Sequence, residues 1–332
     1  MTSMETTVSP LDPEPGPDLP ATLRVPTAGD PARWAAGARD ELHTALAEHG
    51  AVLVRGLGLR TPADVAAVLG QLGVEPVVER EAFAHRERHA PGVHSSSAWP
   101  PNQPMCMHHE LSYTLGFPQV LLFACLSEPT TGGTIGLADA AGVLRALPST
   151  LTDRFEREGW LLTRSYNGEI GATVTEAFGT DDRGEVERYC DAHAITYAWQ
   201  PGGGLRTEQR RSAVVRHPAD GQRCWFNQVA FLNEWTLAPE VREYLLDEYG
   251  PDGLPFNTRY GDGEAIGEDV VRLINAAYAE RTVRPPWWAG DLLLIDNIRT
   301  AHSREPYEGP RDVVVAMAAP NGPGTCAPTI EV

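Results

Sequence analysis

Met105-Cys106-Met107-His108-His109-Glu110-Leu111-Ser112-Tyr113 sets an imidazole and a carboxylate two positions apart. In extended backbone, residues i and i+2 point to the same face. His108 and Glu110 therefore project together, and His109 points the other way. One imidazole and one carboxylate on one face are two of the three ligands in the 2-His-1-carboxylate arrangement of non-haem iron(II) sites. Alone the pair is a weak signal, and an ordinary solvated strand face accounts for it more readily. His109 in place of His108 would leave Glu110 adjacent and off its face. Cys106, two residues before His108, could reach the same face but reads as a small core residue.

The second decisive stretch is Trp288-Ala289-Gly290-Asp291-Leu292-Leu293-Leu294-Ile295-Asp296-Asn297-Ile298-Arg299-Thr300-Ala301-His302. A Gly-Asp turn leads into an apolar strand, which ends in a polar loop carrying His302. Arg311 follows at the entry to the strand Val313-Val314-Val315-Ala316-Met317. A third ligand delivered by a distant strand is what a jelly roll provides. A fixed guanidinium suits a dicarboxylate co-substrate, because its planar fork binds a carboxylate bidentately.

Around these stretches the chain alternates short strands with helices. Trp34, Ala35, Leu42, Ala45 and Leu46 recur at helical spacing between Pro31 and Glu48, and Gly50 closes that helix. Ala51-Val52-Leu53-Val54 reads as a buried strand. Thr61 and Pro62 start a helix running to about Leu72, as N-cap and first-turn residue. Further strands are expected at Val120–Cys125, Cys224–Asn227, Leu292–Ile295 and Val313–Met317. Helices are expected at Ala140–Leu147, Ser149–Glu158, Pro239–Glu248 and Asp269–Glu280. This order implies a β-sandwich or barrel with helices outside, not the regular βαβ of a dinucleotide-binding fold. No GxGxxG follows a strand, and Gly202-Gly203-Gly204 reads as a flexible loop.

The 332 residues, 42% of them hydrophobic, suffice for one large core. Residues 1–20 are rich in Pro, Thr and acidic residues and read as a disordered lead-in, with residues 21–332 as a single domain. The net charge of −18 argues against nucleic acid and anionic membranes as partners. No run of about 18 apolar residues offers a transmembrane span. The N-terminal stretch lacks the basic and apolar regions of a secretory leader, so a cytoplasmic location is expected. Five scattered cysteines form no CxxC pair and fit reduced thiols.

Taken in order, these pieces resemble the taurine dioxygenase (TauD/TfdA) family of iron(II)/2-oxoglutarate oxygenases, most closely its SyrP-like amino-acid hydroxylase branch. The resemblance runs over roughly residues 40–320. It is carried by His49-Gly50-Ala51-Val52-Leu53-Val54-Arg55-Gly56, by His108 through Tyr113, and by Gly132-Gly133 leading to Leu137-Ala138-Asp139. Trp225-Phe226-Asn227-Gln228, Tyr260-Gly261-Asp262-Gly263, Gly290 through His302, and Gly309-Pro310-Arg311 complete it. The resemblance implies a double-stranded β-helix, a cupin-like jelly roll with flanking helices. It implies Fe(II) held by His108, Glu110 and His302, with 2-oxoglutarate and O2 as co-substrates and Arg311 clamping the distal carboxylate. The implied reaction hydroxylates an unactivated carbon and releases succinate and carbon dioxide. The implied substrate is a small molecule, an amino acid or amino-acid-derived antibiotic intermediate, free or tethered to a carrier protein. Desaturation, cyclisation or epoxidation are alternative outcomes of the same chemistry, and a non-catalytic metal-binding jelly roll is a different class. Halogenation is disfavoured because Glu110 fills the carboxylate position.

Two departures stand out. The family usually has Thr two residues after Gly-Gly. Here that position is Ile135, so Thr134 becomes the candidate contact to 2-oxoglutarate. Asp312 follows Arg311 where a second Arg is common, leaving Arg304 as the other conceivable clamp. Asn102, Ser112, Arg164 and Asn227 are candidate substrate contacts, each weighed against a structural or surface role. Asp296, after the strand that leads to His302, is a candidate to orient that imidazole, or simply caps a turn. His43, His49, His85, His89, His94, His193 and His217 lack paired spacing and read as surface or capping residues.

Overall fold

The computed structural model describes residues 19–25, 29–84, 86–322 and 326–330. Most of the expected lead-in (residues 1–18) and His85 lie outside them. At residue 19 the described chain begins with Leu19 packed against the main core.

A seven-stranded sheet forms the spine. Its order is Ala21–Arg24, Ala51–Arg55, Leu292–Asp296, Phe117–Ser127, Asp312–Asn321, Val93–Ser95 and Arg88–Ala90. The first pair is parallel and the remaining pairs are antiparallel. Period-two alternation sorts its side chains into two cores. Leu121, Phe123, Cys125, Leu293, Ile295, Val313 and Val315 share one core. Leu122, Ala124, Leu292, Leu294, Val314 and Ala316 share the other. Phe123 pairs with both Leu293 and Val315, so cross-strand neighbours keep to one face. A sheet covered on both faces explains why Leu292–Ile295 shows unbroken hydrophobicity. Each fully buried leucine here contributes roughly 1.5–3 kcal/mol.

The first face packs on a smaller sheet of Met105–His108, Thr300–Arg304 and Ile135–Asp139, which adds Met107, Leu137 and Ala301 to the same core. The second is covered by helices Pro31–Gly37, Arg39–His49 and Pro62–Gln71 through Ala35, Leu42, Leu46, Val65 and Val68. The helix expected over Pro31–Glu48 is thus two, separated at Ala38. Thr61 and Asp64 close a reciprocal capping box on the third helix, a feature whose loss costs about 1 kcal/mol. Two sheets face to face with helices outside make the jelly roll that the sequence implied.

The strand expected at Cys224–Asn227 is Arg223–Trp225, while the 120s strand extends to Phe117–Ser127. A further four-stranded sheet joins Ile195–Trp199, Leu205–Arg211, Trp160–Tyr166 and Phe256–Tyr260; of these the sequence offered only a strand-like segment around Arg164 and Tyr166. Leu205–Arg211 carries charge at Arg206, Glu208 and Arg210 and so lacks an apolar run. Gly202 and Gly203, at φ +90° and +97°, turn the hairpin between the sheet's first two strands. Among the described residues no helix is long and apolar enough to cross a membrane.

Candidate metal centre

The smaller sheet supplies two histidines by register. His302 lies opposite His108 in the antiparallel pair, with an irregularity just beyond it before Arg304. Their ring centroids are 4.3 Å apart. Glu110 follows the end of the His108 strand, where Leu111 takes a left-handed φ of +53° and turns the chain. Glu110 Oε2 lies 4.0 Å from His108 Nε2 and 3.8 Å from His302 Nε2. The three donor atoms lie within 4.8 Å of one another, and all three residues are buried. Atoms bonded to one ion at about 2.1 Å stand up to about 4 Å apart, so this spacing closes around a single metal with small side-chain adjustments.

The surroundings leave these groups in a state that could bind a metal. His108 Nδ1 bonds the Cys106 carbonyl at 2.8 Å, which leaves Nε2 as the free lone pair facing the site. His302 Nδ1 is buried without a hydrogen-bond partner. Burial pushes the His108 imidazole below its ordinary pKa and that of His302 well below it, so both are neutral and able to coordinate. His109 turns away, bonding the Asn297 carbonyl and packing on Phe226. Burial drives its pKa down to about 4.

Asn297, fully buried, clamps the turn that carries Glu110. Its side chain accepts from Glu110 N at 2.8 Å and donates to the carbonyls of Glu110 and Pro118 at 2.9 and 2.8 Å. The sequence reading passed over it, although an Asn closing a buried strand and needing partners was a usable signal. Arg86 and Glu79 were also missed. Arg86 Nη2 stands 3.0 Å from Glu110 Oε2, and Arg86 Nε stands 3.4 Å from Glu79 Oε2. Burial pushes the Glu79 carboxyl up to about 7, against the pull of Arg86. The charge-rich stretch Glu79–His89 has no apolar period and reads as a solvated loop.

Two joined recesses meet at the triad. The inner one, about 40 Å³, is lined by Arg311, Arg304, Ile135, Phe123 and Ser303. The outer one, about 180 Å³, is walled by Phe83, Trp99, Tyr113, Phe231 and Phe256, with Glu79 and Arg86. Both include Arg86, His108 and Glu110. Arg304 donates to the carbonyls of Trp99, Pro100 and Gln103 and so ties down a loop. Arg311 has no such ties: its Nε is buried without a partner, and among the described residues no carboxylate pairs with it. Burial, then the neighbouring Arg304, lowers its pKa to about 10. Gly133, at φ +71°, leaves it room: a Cβ there would come within 3.2 Å of Arg311 Cδ and Nε.

The other sequence candidates fall elsewhere. Ile135 lines the inner recess, while Thr134 sits in the short link before the Ile135–Asp139 strand and is not among the residues that line it. Asn102 is exposed in a turn. Ser112 is buried outside both recesses, its hydroxyl unpartnered. Arg164 donates to the carbonyls of Glu81 and Ala82 and stacks on Phe83, so it supports the recess wall from behind. Asn227 closes a local turn, donating to the Ala213 carbonyl and accepting from Val229 N. Asp296 does not meet His302. It pairs with His217 at 2.8 Å and caps the turn through Ile298 N and Arg299 N. His217, expected at the surface, is accordingly buried.

A jelly roll with two imidazoles and a carboxylate converging beside an unpaired guanidinium is the architecture of iron(II)- and 2-oxoglutarate-dependent dioxygenases. Residues 10–317 match the family described as taurine catabolism dioxygenase TauD, TfdA family; the chain belongs to that family and is a 2-oxoglutarate-dependent dioxygenase. It is 34% identical over 275 residues to the dapdiamide synthesis protein DdaC of Enterobacter agglomerans, covering 83% of this chain and 84% of that one. A taurine dioxygenase from Burkholderia xenovorans shares the fold at 18% identity and a TM-score of 0.50, over 94% and 91% of the two chains. AAD-2, solved in complex with Mn(II) and N-oxalylglycine, shares it at 16% identity and a TM-score of 0.51, over 93% and 96%.

Proposed function

We propose that His108, Glu110 and His302 hold the ferrous ion and that Arg311 grips the distal carboxylate of 2-oxoglutarate. We further propose that the enzyme hydroxylates an unactivated carbon of an amino acid or amino-acid-derived biosynthetic intermediate. The observation that carries the reading is the convergence of three buried donor atoms within 4.8 Å, with Arg311, which pairs with no carboxylate among the described residues, lining the same recess. When bound, the iron with 2-oxoglutarate and dioxygen supplies the oxidising power, yielding succinate, carbon dioxide and a hydroxylated product.

The protein's own part is placement and exclusion of water. Neutral imidazoles and a pinned Glu110 would hold the ferrous ion through three protein ligands. Arg311 fixes the keto acid by a charge-assisted, forked contact in a buried recess. The aromatic walls of the outer recess hold the substrate carbon near the metal and keep bulk water out. The similarity to a dapdiamide synthesis protein over most of both chains supports a biosynthetic substrate.

The test is succinate formation with Fe(II), ascorbate and 2-oxoglutarate across free and carrier-bound amino acids. Succinate that rises with one class, with the product heavier by one oxygen, is expected. Succinate that never depends on an amino-acid-type partner would sink the substrate assignment.

A further inference from the structure

Three guanidiniums border the inner recess: Arg86, Arg304 and Arg311. Arg304 is tied to three carbonyls, and Arg311 faces the keto-acid side. Arg86 is different, because it holds a carboxylate that the metal also needs. Glu110 Oε2 is the oxygen that Arg86 Nη2 meets at 3.0 Å and the same oxygen that faces both imidazoles. The Arg86 side chain is only 7% exposed. A divalent ion on that oxygen and a guanidinium against it repel strongly in a buried site. Metal entry therefore weakens the Arg86–Glu110 contact.

What remains for Arg86, among the described residues, is Glu79 at 3.4 Å. A guanidinium has five N–H donors, and a buried cation short of acceptors is costly. Arg86 also lines the outer, aromatic recess, so its loosened face looks onto the space where substrate sits. We infer that Arg86 is a specificity residue with two states: it guards Glu110 in the metal-free protein, and once metal takes Glu110 it receives a carboxylate of the substrate. The inference rests on the metal-site reading above. Two consequences follow. Metal binding precedes tight substrate binding. The attacked carbon lies within a few bonds of the carboxylate, since Arg86 is one hydrogen bond from a metal ligand.

The experiment uses the full chain loaded with Mn(II) and N-oxalylglycine. Thermal shift is measured against a panel of free amino acids and simple mono- and dicarboxylic acids, each beside its primary amide. At least one acid raises Tm while its amide does not, and the shift vanishes when Mn(II) is left out. In Arg86→Gln the stabilisation by Mn(II) and N-oxalylglycine persists, but the acid binds about tenfold to hundredfold more weakly, the scale of one hydrogen bond to a charged group. Arg86→Lys recovers part of the affinity. The inference is overturned if no acid shifts Tm, if amides match their acids, if the shift ignores Mn(II), or if Arg86→Gln binds the acid as well as the parent. Absence of any stabilisation by Mn(II) and N-oxalylglycine in the parent would overturn the metal-site reading as well.

Discussion

Replacing Asn297 by Ala removes the clamp on the ligand-bearing turn without touching a ligand. Three hydrogen bonds of 2.8–2.9 Å are lost. They leave the Glu110 N–H and the Glu110 and Pro118 carbonyls without this partner at a fully buried site. Each buried orphan costs about 1–3 kcal/mol. Allowing for partial relaxation, the loss is about 3–5 kcal/mol, a large share of the 5–15 kcal/mol typical of a folded protein. Released from its anchor, Glu110 also presents its carboxylate less well, and Mn(II) affinity falls roughly tenfold to hundredfold, as when partners behind a metal ligand are removed. Asn297→Asp is no milder: it keeps the acceptor for Glu110 N but turns a second oxygen toward two carbonyls. Urea unfolding gives the first quantity and equilibrium dialysis the second. A loss below about 1 kcal/mol together with unchanged Mn(II) affinity would refute the clamp.

Arg311→Gln raises KM for 2-oxoglutarate about tenfold to hundredfold while the Fe(II) stoichiometry is kept; an unchanged KM removes Arg311 from the co-substrate site. Gly133→Ala, whose Cβ would meet Pro129 Cγ at 2.9 Å and Arg311 at 3.2 Å, displaces that guanidinium and raises the same KM with metal affinity intact. Stability also depends on His109, whose pKa drops to about 4 on folding from 6.5 because burial disfavours its charge. Between those values the unfolded chain binds more protons, so stability is full above the unfolded pKa and drains as pH falls through 4. The difference amounts to about 3 kcal/mol. Urea midpoints of metal-free protein should fall over this range, and His109→Gln should flatten the slope.

The jelly roll was legible because its central strands are buried on both faces. Such strands must be apolar throughout, and Leu292–Ile295 and Val313–Met317 are. His108, Glu110 and His302 were legible because two imidazoles and a carboxylate have distinctive chemistry; the i, i+2 spacing pointed to Glu110 although the strand ends at His108 and a turn, not strand parity, brings its carboxylate round. Arg86 and Glu79 left no such mark. Their role arises from a charged loop folding back against Glu110, and nothing periodic announces a contact made by tertiary packing. Asp296 misled for a related reason. A carboxylate near a ligand histidine in sequence implies a hydrogen bond between them, yet the strand end turns Asp296 toward His217 instead. Thr134 precedes the strand that begins at Ile135, so strand parity does not place its side chain.

Equilibrium dialysis of Fe(II) under anaerobic conditions, with the parent and with His108→Ala, Glu110→Ala and His302→Ala, tests the convergence of these three side chains on one ion. One ion per chain in the parent and a marked loss of affinity in each variant is the expected result. Full retention of iron by His302→Ala, the variant lacking the ligand remote in sequence, would contradict it.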